Sequence, residues 1–318
     1  MNLSLLRQEW IEKFILWAQT RSDIRTVFLT GSCGRTEQNP ADEWSDVDLL
    51  FITTKPKLYT KDNSWMRELG PFWTGILPPD ETFGGMLPIY CGFSAYEGGL
   101  VAEYFIVSNN RARWAANMIR LLNYVPSLPH WLPASISTLG GNVGDLFRRG
   151  TRILVDKDGF AESFQQMTVS VRNEPTVPPS RDEFQNSLDD FWFGPPKVVA
   201  DLQRGRLMPA MKNLDATRRH IMKWMEWQAR AKNNWRDDEE LYRFSNMSSW
   251  ADPRVIRALQ NIYPHFDSDD MWMSLFAMMD CAYWLAPETA QLLGYEHSSS
   301  GRQVTDWARK CFDEKVRY

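Results

Sequence analysis

Cysteine and histidine are scarce in this chain, with four of each among 318 residues. Cys33, Cys91, Cys281 and Cys311 lie far apart, which excludes a zinc knuckle or a disulfide-stapled scaffold and leaves reduced thiols as the expectation. His130, His220, His265 and His297 show no metal-ligand spacing and read as structural or surface residues. No apolar run approaches the roughly 20 residues needed to cross a bilayer. The N-terminus Met1-Asn2-Leu3-Ser4-Leu5-Leu6-Arg7 lacks the basic start, apolar core and cleavage site of a secretory signal, so a cytoplasmic location without a membrane anchor is expected. Positive charge is not in excess. A formal charge of −4 argues against a nucleic-acid surface, which generally relies on a positive stripe, and suits a cationic small molecule better. Neither a fixed-period repeat nor a low-complexity tract is present.

What is present is the composition of a folded protein, 43% hydrophobic and 24% charged, at a length that favours about two domains. Leu3, Leu6, Trp10, Phe14 and Trp17 recur at helical spacing behind Asn2, a good N-cap. Strands are expected over Thr26–Thr30, Val47–Thr53, Leu100–Val107 and from Arg152 to the turn at Asp156-Lys157-Asp158-Gly159, with a short helix between the first two. From Tyr59 to Gly99 the turn signals Gly70-Pro71, Pro78-Pro79, Gly84-Gly85 and Gly98-Gly99 predict strands and loops. The proline-rich stretch Asn173–Ser180 then marks a boundary. Beyond it Leu207, Met211, Leu214, Ile221, Met225 and Gln228 trace one long helix, Met271, Leu275, Met278, Met279 and Ala282 a second, which Pro287 should kink or follow with the start of a new one, and Val304, Trp307, Ala308, Cys311 and Phe312 a last one. The expected fold is α+β: a mixed sheet with helices over residues 1–174, then a helical bundle over residues 180–318.

The chemistry is concentrated near the start. Thr30-Gly31-Ser32-Cys33-Gly34-Arg35 follows the first strand directly, and a glycine-serine turn there can cradle phosphates with backbone N–H groups. Gly31 and Gly34 permit close approach, the Ser32 hydroxyl can donate to a phosphate oxygen, and Arg35 can offset its charge. Asp46 and Asp48, two residues apart at the head of the second strand, share one face and can hold Mg²⁺. Glu103, a lone carboxylate in an apolar strand, is the candidate third ligand, because an unpaired charge there is costly. Lys157 is a candidate phosphate contact or a salt-bridged turn residue. Turn and acids together fit attack on the α-phosphorus of a nucleoside triphosphate such as ATP, which must be held still and have its charge neutralised.

With these residues the chain resembles the nucleotidyltransferase superfamily of polymerase-β-like fold, whose pattern is a strand, a Gly-Ser turn and a paired-acid strand; Gly31-Ser32 and Asp46-Val47-Asp48 carry the likeness. More narrowly it is similar to the aminoglycoside 6-adenylyltransferases, the streptomycin-modifying family, through Leu154–Gly159, Asn186–Trp192, Val198–Leu202 and Arg204–Leu207. The resemblance implies a catalytic sheet followed by a helical domain, ATP with Mg²⁺, and AMP transfer to a hydroxyl of an aminoglycoside antibiotic with release of pyrophosphate. Asp190 takes the acidic place before Phe191-Trp192, whose apolar bodies could desolvate it; it and Glu103 are the two candidates for the general base. Trp192 is the favoured tryptophan for stacking on a ligand, whereas Trp10, Trp17 and Trp224 read as core. The acidic residues Asp182, Glu183, Asp189, Asp190 and Asp237 to Glu240 could receive ammonium groups of a cationic acceptor. Other acceptors (a lincosamide, a protein or an RNA) share the same metal chemistry, and an inactive nucleotide-binding regulator is the rival outside enzymes. Retention of both Asp46 and Asp48 speaks against that last reading.

Overall fold

The N-terminal apolar stripe winds into α1 (Leu3–Thr20), started by the Asn2 side chain accepting from Leu5 N–H at 3.2 Å. It buries Trp10, Ile11, Phe14, Trp17 and Ala18 against a sheet. In the computed structural model, residues 2–35, 41–77, 89–124, 147, 150–170, 177–236, 244, 246–297 and 301–314 are described. Pro78-Pro79, Gly84-Gly85, His130, Asn173 to Thr176 and Asp237 to Glu240 lie outside them. The chain divides into two compact units, Met1–Glu174 and Pro175–Tyr318.

The first unit is built on a six-stranded mixed sheet. Its strands are β1 (Ile24–Thr30), β2 (Val47–Thr53), β3 (Phe72–Ile76), β4 (Ile89–Tyr96), β5 (Leu100–Ser108) and β6 (Thr151–Asp156), in the spatial order β3-β4-β5-β2-β1-β6. Only β2 and β5 pair in parallel; every other pair is antiparallel. The unbroken run Leu49-Leu50-Phe51-Ile52 follows from a sheet covered on both faces. Val27, Leu29, Leu49 and Phe51 face α1, while Phe28, Leu50, Ile52 and Phe105 face α4 (Asn109–Tyr124) and α5 (Ala161–Ser170). Alternation at period two thus sorts every second side chain into one of two cores. Each fully buried Phe or Leu contributes about 1.5–3 kcal/mol.

The stretch after β2 departs from strands and loops alone. A helical turn, α3 (Lys57–Thr60), and a 3-10 helix, Ser64–Leu69, place Tyr59, Trp65 and Met66 in the core beneath α1. Tyr59 donates to Asp23 Oδ2 at 2.7 Å, which satisfies its buried hydroxyl.

Helices are the secondary-structure elements of the second unit among its described residues. Its long helices, numbered after the first unit, are α6 (Arg181–Leu202), α7 (Leu207–Lys232), α8 (Ser268–Leu293) and α9 (Gly301–Asp313). Their shared core includes Phe184, Leu188, Phe191, Trp224, Met271 and Leu275. Gly194 lets α7 approach α6, since a Cβ there would strike Thr217. Pro287 neither ends nor restarts a helix, because α8 runs through it to Leu293. The mixed sheet with helices, followed by an all-helical half, is the α+β arrangement the sequence implied.

Candidate active site

Parallel pairing of β2 with β5 sets Asp48 opposite Glu103, and antiparallel pairing sets Thr30 opposite Asp48. Neighbouring strands are about 4.8 Å apart, so residues distant in sequence become adjacent. Asp46, Asp48 and Glu103, each half-buried, offer carboxylate oxygens that all lie within 4.8 Å of one another. No other metal-competent group of three acids, cysteines or histidines occurs among the described residues.

The glycine-serine turn is folded tightly against this trio. Residues Gly31–Gly34 form a single helical turn, α2 in the sequence of elements, entered through Gly31 at φ +65°. That left-handed conformation disfavours any side chain, and a Cβ at Gly31 would also collide with Asp48 Oδ2. Gly34 is constrained differently: a Cβ there would stand 2.6 Å from Gly150 O and 2.7 Å from Leu29 O. Between them the Cys33 thiol donates to Asp46 O at 3.1 Å. Burial pushes this thiol up, which keeps it in the donating, protonated form. Arg35 closes the turn with its N–H on Ser32 O at 3.3 Å, and its Cγ lies close to Gly150.

The loop entering β2 is held by a residue that pattern reading overlooked. Arg7 is buried in α1 and donates from one guanidinium nitrogen to Asp42 O at 2.6 Å and Ser45 O at 3.0 Å. It therefore braces the backbone immediately before Asp46. The signal was available: Arg7 falls three residues before Trp10 and seven before Phe14, on the apolar stripe, where an unexplained charge needs buried acceptors.

Other candidate residues sit elsewhere. Lys157 pairs with Arg25, at the opposite end of β1 from Gly31, and its ammonium donates to the Ala18, Gln19 and Arg21 carbonyls at 2.9, 3.1 and 2.6 Å. It caps the end of α1, where unsatisfied carbonyls collect, and this placement does not support a phosphate contact. The neighbouring acids are similarly engaged. Asp156 accepts from the Phe160 and Ala161 N–H groups at 3.1 and 3.0 Å, and Asp158 pairs with Arg25 and Arg113.

Asp190 belongs to the second unit, midway along α6 and exposed. Phe191 and Trp192 turn inward, Trp192 against Phe191, Tyr283 and the backbone of Gly301, so they do not desolvate the carboxylate. The helical advance of about 100° per residue separates adjacent side chains in this way. Trp192 is thus a core residue, as are Trp10, Trp17 and Trp224.

The family model for streptomycin adenylyltransferase matches residues 6–84 and 142–311, well over half of the chain. The chain belongs to that family. It is accordingly a nucleotidyltransferase, an enzyme of the adenylyltransferase kind. Gly31, Ser32, Asp46, Asp48 and Asp190 of this adenylyltransferase fall inside the matched segments, whereas Glu103 falls between them and is brought to the site by strand pairing. A solved structure of an aminoglycoside 6-adenyltransferase from Bacillus subtilis is similar at 17% identity, over 96% of this chain and 98% of that one, with a TM-score of 0.40. No curated protein sequence matches.

Proposed function

We propose that this adenylyltransferase transfers AMP from ATP to a hydroxyl of an aminoglycoside and releases pyrophosphate, using Mg²⁺ held by Asp46, Asp48 and Glu103. The observation that carries the reading is the carboxylate trio, its oxygens within 4.8 Å of one another, packed against the Gly31 turn. The donor set fits Mg²⁺, a hard cation bound by oxygens at about 2.0–2.1 Å, whose neighbouring ligands stand about 3–4 Å apart. Bound there, Mg²⁺ would neutralise triphosphate charge and polarise the acceptor oxygen.

The chain's own residues supply the rest. The Gly31 turn brings backbone N–H groups and the Ser32 hydroxyl to the phosphates, and Arg35 beside it offsets their charge. The acceptor oxygen attacks the α-phosphorus, the bond to pyrophosphate breaks, and the acceptor proton passes to a carboxylate. Asp190 takes that role in this reading, because Glu103 is committed to the metal and Asp190, exposed on α6, holds the acidic place of the family-like stretch. A cationic acceptor agrees with the net charge of −4. A cytoplasmic location, where ATP and Mg²⁺ are available, completes the proposal.

The decisive experiment incubates the protein with ATP, Mg²⁺ and a panel of aminoglycosides, with a lincosamide as comparison, and follows pyrophosphate release and an added AMP mass. Turnover on an aminoglycoside is expected; silence across the aminoglycosides with turnover on the lincosamide reassigns the acceptor. Asp190→Asn should lower kcat more than it raises KM for ATP, and an unchanged kcat moves the base role elsewhere.

A further inference from the structure

Trp44 stands two residues before Asp46 and is 77% exposed, yet its backbone is tightly constrained. Its N–H donates to Asp42 Oδ1 at 3.0 Å, and the Ser45 hydroxyl reaches the same oxygen at 2.9 Å. Asp42 N–H donates back to Ser45 Oγ at 3.0 Å, and buried Arg7 holds the carbonyls of Asp42 and Ser45 from below. The turn thus presents a large indole to solvent on a rigid mount. A single exposed apolar residue is ordinary; a braced tryptophan sharing a small cavity with Glu43, the candidate metal ligand Asp46 and half-exposed Val101 is not.

We infer that Trp44, with Glu43, forms the part of the site that receives the acceptor, stacking its indole on a cationic ring of the aminoglycoside; this rests on the acceptor proposed above. An aromatic face attracts cations and the CH face of a saturated ring, and the carboxylate of the adjacent Glu43 adds attraction for an ammonium group. The same carboxylate, with Asp46 two residues beyond Trp44, disfavours an uncompensated phosphate here, because Arg7 in the same cavity is committed to the Asp42 and Ser45 carbonyls. Pre-ordering of the turn matters because an aromatic contact held in place loses little entropy on binding.

Steady-state kinetics on Trp44→Ala, Trp44→Phe and Glu43→Gln, with streptomycin and ATP varied separately, tests the assignment. Trp44→Ala should raise KM for the acceptor about five- to thirtyfold, Trp44→Phe should recover most of the loss, and KM for ATP should stay within about twofold of the parent. Calorimetric titration of streptomycin into each protein without ATP should show the same ranking. An unchanged acceptor KM in Trp44→Ala overturns the inference while leaving the reaction intact. A raised KM for ATP with unaltered streptomycin binding assigns Trp44 to the adenine and overturns it equally. Absence of turnover and of binding by the parent protein with every aminoglycoside would instead remove the acceptor reading and this inference with it.

Discussion

The Asp48 carboxylate fills the space in which a side chain on Gly31 would project. Turn and acid are therefore a single packed unit. Glycine is required at position 31 for two independent reasons, the left-handed φ of +65° and the contact with Oδ2. Gly31→Ala should destabilise the first unit by about 2 kcal/mol or more. Because displacement of a reacting group by about 1 Å costs on the order of a hundredfold in rate, kcat should fall at least that far. Chemical denaturation and initial-rate measurements on the purified variant check both outcomes, and near-parental kcat would separate the turn from the chemistry.

Three carboxylates within 4.8 Å repel one another unless a cation lies between them. Asp46→Asn and Asp48→Asn should each abolish activity while leaving the fold intact. In thermal melts, added Mg²⁺ should raise the Tm of the parent protein and fail to raise that of either variant, because only a ligand that binds the folded state shifts the midpoint. Full activity in the double variant would end the metal assignment.

Arg7 reaches two backbone carbonyls ahead of Asp46 from inside α1. Arg7→Ala leaves both acceptors without their charged donor, at about 1.5–3 kcal/mol for hydrogen bonds of this kind. The variant should lose stability on that scale and also lose kcat through the slackened loop. Arg7→Lys should restore part of each. A variant that is less stable but has unchanged kcat would confine Arg7 to a purely structural role.

Lys157 donates to three carbonyls where α1 ends. Lys157→Met should lower the denaturation midpoint yet leave KM for ATP unaltered, since the ammonium is at the opposite end of β1 from the Gly31 turn. A several-fold rise in KM for ATP at unchanged stability would return Lys157 to the phosphate site.

Arg25 and Arg113 hold the Asp158 carboxyl down at about 2, Arg25 contributing most through its hydrogen bond. The folded value lies below the ordinary Asp value of about 3.9, so the pair stabilises the protein above pH 4. That contribution is lost as pH falls from about 4 through 2. Asp158→Asn should lower stability at pH 7 and flatten its pH dependence across that acid window. An unaltered slope in acid denaturation profiles would show that other carboxylates govern the transition.

Which parts of the fold were legible follows from burial. β1, β2 and β5 are covered on both faces, so their residues form apolar runs that announce strands, and α1 advertises itself through a stripe ending in Trp17. β3 was obscure because Phe72-Trp73-Thr74-Gly75-Ile76 is a sheet edge, with Trp73 and Ile76 exposed and no burial pattern to read. The continuation of α6 through Pro195-Pro196 and of α8 through Pro287 runs against local propensity and is supplied by packing. Trp192 misled for a related reason: it stands two residues from Asp190 in sequence, but the helix turns Trp192 into the core and leaves Asp190 exposed.

Chain order alone determined that a glycine-serine turn and two aspartates would flank adjacent strands, because those links are local and their spacing is set by strand geometry. It also marked Glu103 as an anomaly, a charge in an apolar strand. Tertiary structure decided the rest. Parallel pairing of β2 with β5 is a long-range contact that no local pattern encodes, and it alone puts Glu103 opposite Asp48. The same holds for Arg7, whose buried guanidinium finds its acceptors only when α1 packs over the sheet, and for Lys157, which sits by the end of β1 opposite the Gly31 turn.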